Sequence, residues 1–107
     1  MTGMQLATED RGDWHVVSVR GRVDSVTASE LTAMLLAAVA AHDLVAVDCS
    51  GIEYISSAGL ASLLEGSRSA RGAHRQFKVC SPGPRVKQVL EISGLRNLMD
   101  IQEELPC

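Results

Sequence analysis

The sequence predicts an α/β domain built on a mostly parallel sheet, and three features carry that prediction. Short apolar runs with strand character alternate with segments whose apolar residues recur three and four apart, the pattern of repeated strand-helix-strand units. One run, Leu44-Val45-Ala46-Val47, is apolar without alternation, as in a central strand covered on both faces. Aromatic residues are scarce, with Trp14, Tyr54 and Phe77 the full set. The core must therefore come from Leu, Val, Ile, Ala and Met, which suits strands under helices better than a sandwich with aromatic plugs.

Taken in order, residues 4–9 form a weak strand, and Asp10-Arg11-Gly12-Asp13 a polar turn into a second strand at 14–20; together they read as an antiparallel hairpin. Gly21 closes the second strand. Thr27-Ala28-Ser29-Glu30 matches the capping-box pattern, so a helix starts there, with Leu31, Met34, Leu35 and Ala38 on one face and an end near Ala41. His42 suits the negative pole of that helix. The strand at 44–47 ends in Asp48 and a loop. A second helix begins around Ser57, turns Leu60, Leu63, Leu64 and Ser67 inward and stops at Gly72, with Arg68 and Arg71 complementing the dipole. Residues 76–80 form the next strand. Ser81-Pro82 caps a third helix with Val86, Val89 and Leu90 buried and Gly94 at its end; residues 98–101 form a short last strand and 102–107 a polar tail.

The order is β-β-α-β-α-β-α-β, with the first strand as an antiparallel edge. Right-handed crossovers then gather the loops at 21–25 and 48–57 on one rim at the carboxyl ends of the strands, where sites of α/β folds lie. At 107 residues and 46% apolar content, residues 1–107 fit one domain with one core.

Composition excludes several functions. A formal net charge of −3 and no basic stripe argue against nucleic acid or anionic lipid as a partner. The apolar stretch 31–41 is too short to span a bilayer and the N-terminus lacks a signal pattern, so a cytoplasmic protein is expected. Cys49, Cys80 and Cys107 form no metal motif or even-numbered framework and are expected to be reduced, with Cys107 exposed. His15, His42 and His74 are dispersed along the chain, and no metal or cofactor is expected.

The stretch that invites a function is Ser56-Ser57-Ala58-Gly59 at the start of the second helix. A serine oxygen there can accept from unpartnered amides, and the same amides and dipole favour a phosphate. Ala58 and Gly59 leave the backbone open to another protein's active site. Taken alone, such a serine is more often a cap, worth about 1 kcal/mol.

The surrounding motifs change that weighting. Gly21-Arg22-Val23-Asp24, the run from Asp48 to Leu60, and Ser81-Pro82 leading to Val89-Leu90-Glu91-Ile92-Ser93-Gly94-Leu95 resemble the STAS domains of bacterial anti-sigma factor antagonists over nearly the whole chain. The resemblance implies a non-enzymatic partner-switching regulator. Its unmodified form binds a histidine-kinase-like ATPase that is both serine kinase and anti-sigma factor; the kinase phosphorylates a serine, and a PPM-type phosphatase reverses it. By position the phosphoacceptor is Ser57, and Asp24 and Ser25, with Ser56, Ala58 and Gly59, belong to the partner-binding surface. Ser56 stands where many members carry aspartate, so it is a competing acceptor, and Arg22 replaces a frequent acid. Asp48 and Glu53 are expected near the phosphate.

Other classes fit less well. A phosphoaspartate receiver built on Asp48 lacks the acidic pair after the first strand, and a serine hydrolase lacks the Gly-x-Ser-x-Gly elbow and a placed base. The nearest alternative is a STAS interaction subunit of a transporter or stress-signalling scaffold that is not phosphorylated.

Overall fold

A computed structural model describes residues 3–106. The hairpin forms as the turn residues imply: β1 (Met4–Arg11) pairs antiparallel with β2 (Trp14–Val23), with Gly12 at φ +60° between them. β2 does not stop at Gly21. That glycine takes φ +92°, and a Cβ there would strike the Gly3 carbonyl oxygen, to which the Arg22 N–H donates at 3.0 Å. The strand passes through this irregularity and continues to Val23, and its register with the next strand shifts at the same place.

α1 (Ala28–Ala41) leads to β3 (Leu44–Ile55), then α2 (Ser57–Gly72), β4 (Gln76–Cys80), α3 (Pro84–Ile92), a 3₁₀ turn (Leu95–Asn97) and β5 (Asp100–Gln102). The sheet order is β1-β2-β3-β4-β5, parallel from β2 onward. The predicted element order and antiparallel edge are what forms, with the 3₁₀ turn added. Right-handed crossovers advancing in one direction place all three helices on one face. There Val17, Val19, Val45, Val47 and Val79 are fully buried with Leu31, Leu35, Leu63 and Leu90.

The opposite face explains the unalternating run 44–47. Val16, Ala46 and Cys80 are also fully buried, beneath Trp14 and Leu105. The second cover is thus one indole and the chain after β5, so the tail expected to be merely polar contributes a packed leucine.

Besides β2, and β1, which takes Asp10 and Arg11 of the expected turn into its ladder, three boundaries differ from expectation. β3 extends well past Val47 because β2 also runs on: Arg20, Gly21, Arg22 and Val23 pair with Gly51, Ile52, Tyr54 and Ile55, and those backbone groups find partners in the ladder rather than in a loop. α3 starts at Pro84 with Gly83 as N-cap, not at Ser81; the Ser81 backbone adopts φ +56° and its N–H donates to Gln102 O at 2.9 Å, tying β4 to β5. Leu98 closes the 3₁₀ turn through its N–H to Leu95 O at 2.9 Å, which delays β5 to Asp100.

Candidate functional site

The rim forms where β2 and β3 end side by side. Val23 lies opposite Ile55, and the Ser56 N–H donates to the Val23 carbonyl at 2.8 Å. This brings the loop at 24–27 against the start of α2. Ser56 is the N-cap: its backbone is extended (φ −90°, ψ 176°) and its Oγ accepts from the Gly59 N–H at 3.3 Å. Ser57 is the first helical residue. It is exposed, and its hydroxyl has no hydrogen-bond partner among the described residues. The cap expected at this helix start belongs to Ser56, not to Ser57.

Asp24 organises the other half of the rim. Its Oδ1 accepts from the N–H groups of Val26 at 3.0 Å and Thr27 at 3.2 Å, while its own N–H donates to Thr27 Oγ1 at 3.0 Å. These backbone donors, Thr27 first, hold its carboxyl below the ordinary carboxylate range, with Arg22 contributing least. Thr27 donates its hydroxyl to Arg22 O at 3.0 Å and makes no cap bond to α1, so the predicted capping box does not form; the Asp24 carbonyl accepts from Ala28 N–H instead. Arg22 stacks over the Tyr54 ring at 4.3 Å from its centroid. Ser25 is exposed, and Val26, which sequence reasoning passed over, is 83% exposed at the centre of this loop. A β-branched apolar residue between two turn-forming polar ones was the available signal.

Gly59 is not an opening for a partner. It is buried, and a Cβ there would lie 2.7 Å from both Ile55 Cγ1 and Val23 Cγ1, so the missing side chain lets α2 start directly on the strand ends. Below it, buried Ser62 donates to Ala28 O at 2.9 Å and accepts from Thr32 Oγ1 at 2.7 Å, linking the first turns of α1 and α2.

Asp48 leaves the rim. It pairs with Ser18 and Cys80 inside the sheet, and the seven residues from there to Ile55 span roughly 23 Å of strand. Its carboxylate accepts from Ser50 N–H at 3.0 Å. Cys49 and Cys80 are buried, and burial pushes the Cys49 thiol far up, with Asp48 adding to the shift. Cys107 lies outside the described residues. The histidines are not all dispersed: the His15 and His42 rings stack.

A family profile described as "Mlab, STAS domain" matches residues 6–101, nearly the whole chain. The chain belongs to the STAS domain family. BtrV of Bordetella bronchiseptica, assigned as an anti-sigma factor antagonist, is 30% identical to this STAS domain over 99 residues, covering 92% of this chain and 85% of its own. The crystal structure of an anti-sigma factor antagonist from Mycobacterium paratuberculosis superposes with a TM-score of 0.87 at 29% identity, covering 96% of this chain and 88% of that one. The Bacillus cell-fate determinant SpoIIAA, solved in its phosphorylated form, shares the fold at a TM-score of 0.69 and 19% identity, over 92% of this chain and 90% of that one. These relatives place the STAS domain among the anti-sigma factor antagonists.

Proposed function

We propose that this STAS domain is an anti-sigma factor antagonist whose binding is switched at Ser57. Unmodified, it binds a serine kinase of the histidine-kinase-like ATPase type that holds a sigma factor or similar target, and binding frees that target. Transfer of the γ-phosphoryl group of ATP to Ser57 Oγ releases ADP and the hydroxyl proton and weakens the complex; a PPM-type phosphatase restores it by hydrolysis.

The observation that carries this reading is the unequal state of the two serines. Ser56 Oγ is occupied by the Gly59 amide, whereas Ser57 is exposed and uncommitted. Beside it, Asp24, Ser25 and Val26 supply an acid, a hydroxyl and an apolar contact for a partner, with Ala58 alongside. That a protein of this fold was solved phosphorylated is consistent with the same chemistry. A phosphate adds roughly −1.5 to −2 charge units next to the ionised Asp24, so repulsion and desolvation both rise on docking. A coupling of about 1–3 kcal/mol changes affinity about 5- to 150-fold without rearranging the fold.

The test is phosphorylation by candidate kinases with ATP, mapped by mass spectrometry in Ser57→Ala and Ser56→Ala proteins. Phosphate should vanish in the first and persist in the second. The reverse outcome would move the switch to Ser56.

A further inference from the structure

The amino end of the sheet carries a cluster unrelated to the rim. Asp10 is the last residue but one of β1, His15 sits opposite it as the second residue of β2, and His42 is the C-cap of α1, with Asp43 between it and β3. Thus His42 precedes β3 and Ser56-Ser57 follow it, so the strand's length separates the two places. His15 Nδ1 lies 2.9 Å from Asp10 Oδ1. The imidazoles stack with centroids 3.7 Å apart and planes 6° from parallel. One donor atom from each of the three residues lies within 4.8 Å of the other two.

We propose that Asp10, His15 and His42 form a binding site for a divalent transition-metal ion, with zinc the best match. Two imidazole nitrogens and one carboxylate oxygen are the donors such ions take, whereas calcium and magnesium prefer oxygen alone. Bonds of about 2.0–2.1 Å at a tetrahedral angle set neighbouring donors about 3.3 Å apart. The His15–Asp10 pair is already close to that separation, and an ion occupies the place between them otherwise bridged by a proton. An imidazole binds an ion through a lone pair in its ring plane, so His42 must turn out of the parallel stack to share the ion with His15, and as a partly exposed residue at a helix end it has room to turn. Asp10 has a side-chain exposure of 74%, so the ion enters directly from solvent and the fourth position is left to water.

Elsewhere on the described surface no other group of three such ligands converges. An ion here would tie the β1–β2 hairpin to the α1–β3 junction.

The probe is zinc chloride, titrated into the full chain after chelator treatment and followed by calorimetry and by the histidine ring signals in NMR. One ion per chain is expected at about micromolar affinity or tighter, with shifts confined to His15 and His42. Asp10→Asn and His42→Gln, both at accessible positions, should each weaken binding at least about tenfold while circular dichroism stays unchanged. His74→Gln and Cys107→Ser should have no effect. Absence of saturable binding at micromolar zinc would overturn the site, as would affinity unaltered by either of the first two variants.

Discussion

At the residue scale, Ser56 and Ser57 are adjacent and chemically identical, yet their burdens differ. Ser56→Ala removes the acceptor for the Gly59 amide and should cost about 1 kcal/mol, lowering Tm by several degrees in thermal unfolding. Ser57→Ala removes no bond and should leave Tm within about 0.5 kcal/mol equivalent. Asp24 makes a second residue-level prediction. Backbone donors lower its carboxyl below the usual value near 3.9, so an NMR titration should place its midpoint below that value. Because the folded-state value is depressed, the contribution of the ionised group is complete above the ordinary value and is lost as pH falls through the lowered one. Cys49 is the opposite case: a buried thiol with its ionisation pushed up has little thiolate at neutral pH. It should resist thiol reagents in the native protein and react only on unfolding, as mass spectrometry of labelled peptides would show.

At the element scale, α2 is seated by absent side chains. Gly59 meets the ends of β2 and β3, and Gly66 meets the Phe77 ring, where a Cβ would lie 2.8 Å from Cε2 and Cζ. Alanine at either position raises helix propensity by about 1 kcal/mol, yet the contacts are with buried groups that cannot move away freely. The steric effect should win, with a net loss of about 1–3 kcal/mol for Gly59→Ala in chemical denaturation. A neutral or stabilised variant would show that the helix shifts without cost. Ser62 ties the same helix to α1, so Ser62→Ala should destabilise by about 1 kcal/mol by leaving Thr32 with one partner fewer. Gly59 and Ser62 both look innocuous in sequence; what they do depends on neighbours remote in the chain, Val23 for Gly59 and, 30 and 34 residues away, Thr32 and Ala28 for Ser62.

At the scale of the whole molecule, the STAS domain is a sheet covered by helices on one face and by little on the other. The partner surface proposed for it is a rim, not a cleft, which suits recognition by another protein's face. Ser57→Asp should keep the fold, since an acid is favoured in a first helical turn, and should weaken kinase binding by about 5- to 150-fold in calorimetry. Unchanged affinity would remove the electrostatic account of the switch.

How much of this was legible in the chain follows from the range of the forces concerned. Periodicity, the Asp10-to-Asp13 turn, Gly12 and the apolar run at 44–47 are local signals, and they determined the element order, the hairpin, the sheet type and the serine-bearing helix start. Strand lengths were not legible, because β3 extends to Ile55 only where β2 offers it a partner, and that pairing is non-local. For the same reason Asp48 read as a loop acid and proved to lie within the sheet. The sequence by itself determined that two serines stand at the start of α2; only the tertiary structure decided which one caps. That choice turns on the β2–β3 ladder ending at Val23 and Ile55, which fixes the Ser56 backbone by the bond to Val23 and aims its oxygen at Gly59, leaving Ser57 turned to solvent.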